Sequence, residues 1–194
     1  MISCTQIYQL NYNKTIIMEK STKSIAVNYG LYLGLGLTAI TAICYAVDIL
    51  LLNNTMVGVG LLLLVIILPI MSSIATKKAQ GGYISFKDAF TSFFITLAIG
   101  LLISSLVYIV IFNFIDPEAA ETLKNAVMEK QIEMMKGFGA DPKMMSGIAE
   151  EFEKQGNMYS IANVLKSFVF QLAGYSLIGL ISSLIIKKNE ETQI

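Results

Sequence analysis

Four stretches of the chain, residues 26–52, 56–76, 89–114 and 164–186, are predominantly apolar and carry no internal run of charge. A helix needs about 20 such residues to cross the hydrocarbon core of a bilayer. Because lipid offers no water to backbone N–H and C=O groups, each stretch is expected as an α-helix rather than an open strand. The pattern thus predicts an all-α integral membrane four-helix bundle.

Between the third and fourth stretches, over residues 116–156, the pattern turns polar, with apolar positions at helical spacing. Leu123, Val127 and Met134 or Met135 recur in the first part; Met145, Ile148 and Phe152 recur in the second. Each part opens on the same dipeptide, Asp116-Pro117 and Asp141-Pro142, in which Asp caps a helix and Pro fills its first turn. Gly137, Gly139 and Gly156 provide the stops. An extramembrane helical hairpin is therefore expected between the third and fourth spans, packed on itself or on the membrane surface.

Connections elsewhere are short. Asn53-Asn54-Thr55 is the polar material between the first two spans, which predicts a tight antiparallel pair. Pro69 should kink the second span, and Ser85-Phe86-Lys87-Asp88, after the Gly81-Gly82 turn, has the form of a capping box opening the third. Residues 1–23 are read as an N-terminal cytoplasmic segment free to be disordered, and 24–194 as the membrane domain. Met18 followed by Glu19-Lys20 resembles a translation start, so residues 1–17 are expected to be an upstream extension. They contain no continuous apolar core of the kind a signal peptide needs.

Composition narrows the chemistry. With 55% hydrophobic residues and a mean hydropathy of +0.64, the 194-residue chain has more apolar surface than a water-soluble domain can hide. Lysines are not clustered as nucleic acid binding requires, so no nucleic-acid partner is expected. The chain has no His, and its two cysteines, Cys4 and Cys44, are far apart. The commonest general base and the commonest metal ligand are therefore missing. No catalytic, cofactor-binding or metal residue is assigned, and the chain is not expected to be an enzyme. Met128, Met134, Met135, Met144, Met145 and Met158 could be soft ligands for Cu(I), but helix propensity and packing explain them more cheaply. Glu150, Glu151 and Glu153 lack the spacing of a calcium loop.

Charge sets the orientation. Lys20, Lys23, Lys77, Lys78, Lys87, Lys187 and Lys188 all fall on one side of a four-span arrangement. The insert from Asp116 to Lys154 has nine acidic residues and five lysines, a net of minus four. By the positive-inside rule both termini are cytoplasmic and the insert lies outside.

Two features are candidates for function. Ala26, Gly30, Gly34, Thr38, Ala42 and Ala46 form a series of small residues four apart, a stripe that lets another helix approach closely. Ser92, Thr96, Gly100, Ser104 and Tyr108 make a related series in the third span, and Gln171, Tyr175, Gly179 and Ser183 one in the fourth. These three faces are expected to meet inside the bundle, as helix packing or, alternatively, as the lining of a polar path. Asp48 is the one carboxylate within an expected span, a candidate for proton- or cation-linked transport unless it simply reaches the headgroup region.

The chain resembles a family of small bacterial membrane proteins, chiefly from Bacteroidota, catalogued as domain of unknown function 4199. The resemblance rests on Lys23-Ser24-Ile25-Ala26-Val27-Asn28-Tyr29-Gly30, on Gly82-Tyr83-Ile84-Ser85-Phe86-Lys87-Asp88-Ala89-Phe90 and on Ile115-Asp116-Pro117. It covers roughly residue 20 to the C-terminus and implies a multi-pass protein of the bacterial inner membrane; it carries no activity. The functional expectation is a scaffold or accessory protein that binds a lipid, a protein partner or a second copy of itself. The alternative is a small transporter or channel-like protein using the polar faces and Asp48.

Overall fold

The computed structural model describes residues 4–139, 141–154 and 156–188, with side chains from Thr22 onward. The ends of the chain before Cys4 and after Lys188, which the sequence reading placed in the cytoplasm, lie outside the described residues. Six α-helices follow one another: α1 (Cys4–Val47), α2 (Thr55–Ala79), α3 (Phe86–Val110), α4 (Pro117–Gly137), α5 (Pro142–Lys154) and α6 (Ile161–Ile186). A 3₁₀ helix, Ile49–Asn53, joins α1 to α2, and a π-helical turn, Ile111–Ile115, ends α3.

Four of these helices are long and apolar enough to span a bilayer, over 22–47, 55–79, 86–115 and 161–186. They bury little of themselves in each other; for α6 the buried share is only 11%. Phe170, Ile181 and Ile185 are 77%, 62% and 79% exposed, a surface that water would penalise and lipid tails accept. The fold is a membrane four-helix bundle with a helical hairpin, α4 and α5, between its third and fourth spans.

Helix ends are set by caps rather than by hydropathy, so they depart from the apolar limits. Ser85 accepts a hydrogen bond from the Asp88 N–H (3.0 Å) and donates to its carboxylate (3.0 Å), starting α3 at Phe86, before the apolar stretch begins at Ala89. Ser160 does the same for α6, accepting from the Asn163 N–H. Residues 4–25 continue α1 upstream of its apolar part instead of standing apart as a segment without regular structure. The largest departure is at the other end of α1. The first span was expected to reach Leu52, but the α-helix stops at Val47: Asp48 is extended and its carboxylate accepts from the Leu50 N–H (2.9 Å), opening the 3₁₀ helix. A short carboxylate that bonds backbone two residues ahead competes with helix propagation and wins here.

α3 is the hub, packing on α1, α2 and α6. Its Phe93, Leu97 and Leu101 meet Leu33 and Leu37 of α1 and Val65 of α2 in the central core. At the lysine-rich end the chain is tied by the Lys77 ammonium donating to the Ile186 carbonyl (2.7 Å), by the Ile84–Lys188 bridge, and by Lys188 over the Tyr83 ring. Lysine on the open carbonyls of a helix C-terminus also opposes its dipole.

Close approach of the helices depends on glycine. A Cβ on Gly30 would lie 2.8 Å from the Ile99 Cβ, one on Gly34 2.7 Å from Ile103, and one on Gly100 2.5 Å from Leu33. Gly179 faces the Phe93 ring in the same way, at 2.5 Å. Ala26 is fully buried, but the stripe does not continue: Thr38 is only half-buried, and Ala42 and Ala46 are exposed. Residues four apart advance about 400° on an α-helix, so the series rotates roughly 40° per step and leaves the contact face within a few steps. The face that remains buried follows Ala26, Gly30, Leu33, Leu37, Thr41 and Cys44, with mixed spacings of three and four.

A hydroxyl cluster locks α2 to α3 and α1. Ser92 Oγ lies 2.8 Å from Ser72 Oγ and 2.9 Å from Thr76 Oγ1, and the Ser73 hydroxyl donates to the Ala89 carbonyl at 2.8 Å. Thr96 donates to the Ala26 carbonyl at 3.0 Å and lies 2.8 Å from Ser72 Oγ. Ser72, Ser73, Thr76, Ser92 and Thr96 are all fully buried.

Candidate functional site: a cavity under the cap

At the end opposite Lys77 and Lys188, the hairpin forms a cap. Asp116 accepts from the Ala119 N–H (2.9 Å), starting α4, and its second oxygen accepts from the Tyr45 hydroxyl (3.2 Å), tying that start to α1. Farther along α4, the Asn53 amide donates to the Ala126 carbonyl at 2.9 Å, and the Lys130 ammonium donates to the Asn53 carbonyl. The π-helical turn puts Ile111 and Phe112 beneath Ala119, Ala120 and Leu123. Asn113 then donates to the Tyr159 carbonyl at 2.9 Å, pinning the approach to α6. The Tyr159 ring lies against Phe112, with centroids 4.5 Å apart, and stacks on Tyr108 at 6.2 Å. Burial beside Tyr108 raises the Tyr159 phenol well above its ordinary pKa.

Beneath this cap lies a cavity of about 540 Å³. α1 supplies Leu37 and Thr41; α2 supplies Gly58, Leu61, Leu62 and Val65. α3 contributes Leu101, Ser104, Ser105 and Tyr108, and α6 contributes Val164, Ser167, Gln171 and Tyr175. Leu52, Leu123, Val127, Met158 and Tyr159 close the top. The α2 wall is wholly apolar, whereas the α3 and α6 walls present hydroxyls and an amide. Among the described residues, no Asp, Glu or Lys lines it.

Depth follows from helix rise. Val65 is ten residues into α2 and Gln171 ten into α6, about 15 Å below the cap; Tyr175 is about 21 Å below it. The hydrocarbon core of a bilayer is about 30 Å thick, so these depths compare with about half of that thickness or somewhat more. Its volume is in the range of small-molecule sites, about 300–1,000 Å³.

The side chains named from sequence divide between two places. Ala26, Gly30, Gly34, Gly100 and Gly179 are helix contacts. Ser104 lines the cavity. The drift of a four-residue series explains this division: α3 begins at the hydroxyl cluster with Ser92 and Thr96 and has rotated into the cavity by Ser104 and Tyr108. Asp48 is exposed at the start of the 3₁₀ helix and is not part of the cavity wall. Sequence reading missed the α2 hydroxyls, whose spacing of Ser72, Ser73 and Thr76 after Pro69 marks one face of an otherwise apolar helix.

No curated protein and no solved structure matches the chain. A family model described as Protein of unknown function (DUF4199) matches residues 28–188. That interval takes in α2 to α6, the last 20 residues of α1, and every residue of the cap and the cavity. The chain therefore belongs to the DUF4199 family of proteins of unknown function.

Proposed function

We propose that the protein is a non-enzymatic accessory protein of the bacterial inner membrane that holds a lipid-class molecule in the cavity under its cap. One observation carries this reading: the cavity is as deep as one leaflet and has an uncharged, largely apolar wall. A molecule already dissolved in that leaflet has the length and polarity to fill it. The lysines gathered at the other end orient the cap, and hence the cavity, toward the outer leaflet by the positive-inside rule. The cap surface, with Phe138 86% exposed at the α4–α5 turn, is where a protein partner or a second copy would meet the bundle. A transport path through Asp48 has no such support, because its carboxylate caps backbone outside the cavity.

The test is native mass spectrometry of the full chain released from nanodiscs of bacterial lipid. The wild type is expected to carry one lipid-class adduct, and Ser167→Phe, which places a ring in the cavity from the exposed wall of α6, to lose about tenfold in occupancy, equivalent to 1.4 kcal/mol. A wild type with no adduct, or a Ser167→Phe protein that folds and retains it fully, would sink the reading.

A further inference from the structure

We infer that the cavity admits its ligand by the polar end, and that this end is an uncharged carbonyl or hydroxyl group on an apolar tail. The inference rests on the lipid-binding reading above and specifies the ligand within it. Its basis is the bonding of the wall. Among the described residues, no hydrogen bond to another residue engages the hydroxyls of Ser104, Ser105, Ser167 and Tyr175 or the Gln171 amide. Elsewhere in the spans Ser73 bonds the Pro69 carbonyl, Ser176 the Leu172 carbonyl and Ser182 the Gly179 carbonyl, whereas Thr38 and Ser183 are buried without a partner.

Free hydroxyls at a membrane surface would be met by water. Gln171 is about 15 Å below the cap, near the bilayer midplane, and Ser104 and Ser105 lie about 9 and 8 Å below the end of α3. Polar groups left unsatisfied in hydrocarbon are costly, so this wall is built for a partner with hydrogen-bonding atoms. An acyl tail entering first would leave all five unbonded. A polar head entering first satisfies them, and the apolar α2 wall receives the start of the tail. Charge is excluded by the same wall, since among the described residues no lysine or carboxylate lines it to pair with a buried phosphate or ammonium.

The experiment compares two probes on the full chain in nanodiscs, a mono-oleoylglycerol and a dioleoylphosphatidylglycerol, read by native mass spectrometry. Mono-oleoylglycerol is expected to bind at least about tenfold more tightly. Gln171→Leu and, separately, Ser105→Ala are each expected to weaken it several-fold while leaving the phospholipid unchanged. Two variants are used so that a fold defect in one leaves the other informative. If both probes bind equally and neither variant alters the glycerol ester, the head-first inference is wrong while lipid binding stands. If neither probe binds the wild type, both readings fall.

Discussion

Replacing Gly30 and Gly34 together by leucine is expected to abolish recovery of a monodisperse protein, whereas Gly36→Leu should leave yield and elution unchanged. The contrast is geometric. At Gly30 and Gly34 even a Cβ would come within 2.8 and 2.7 Å of the Ile99 and Ile103 side chains, while nothing lies within 4 Å of a Cβ on Gly36. Ile99 and Ile103 are β-branched and have little rotamer freedom on a helix, so α1 must back away from α3. Overpacking costs about 1–3 kcal/mol per site, and these two sites share one interface. Against a total stability of about 5–15 kcal/mol, the pair removes a large fraction. Size-exclusion chromatography of the three proteins in one detergent decides it. Equal profiles for the double variant would mean that α1 and α3 do not meet as described.

The second large effect is expected at Ser92, which connects two hydroxyls at once. Ser92→Ala leaves Thr76 without a side-chain partner and Ser72 with Thr96 alone, both at fully buried sites. An abandoned buried hydroxyl costs about 1–3 kcal/mol, against about 0.6 kcal/mol for an average interhelical hydrogen bond in a membrane. Adding Ser72→Ala to Ser92→Ala should therefore destabilise by less than the sum of the two single changes. Denaturation of the four proteins of this cycle in mixed detergent measures the coupling. Strict additivity would show that the cluster is not a connected unit.

The two interfaces differ in how far the sequence announces them. Helices and caps were legible because each is a local signal: twenty apolar residues, Ser85 before Asp88, Asp116 before Pro117. Gly30 and Gly34 were legible because small residues in a span have few other uses. The extension of that stripe to Ala42 and Ala46 failed on helix pitch, which repeats at 3.6 residues and not four. Asp48 looked like an intramembrane acid because hydropathy ran on to Leu52, and only its bond to the Leu50 N–H shows that the helix has ended. The cavity was least legible of all. Its wall combines α1, α2, α3 and α6 with the cap, and no short segment carries the juxtaposition of Gln171 with Ser104 and Leu61. What the sequence did contain was polarity without an assigned partner, in Ser104, Tyr108, Gln171 and Tyr175.

The proposed function requires the cap and the lysine-rich base to lie on opposite faces of the membrane. The direct measurement uses single cysteines at Ser146, in α5, and at Lys188, beside the base, in a Cys4→Ser, Cys44→Ala background. Intact cells are treated with a membrane-impermeant thiol reagent after the outer membrane is opened. The cysteine at 146 should label at once, and that at 188 only after the inner membrane is breached. Labelling of both from the same side would contradict a four-span bundle with its cap and base on opposite faces.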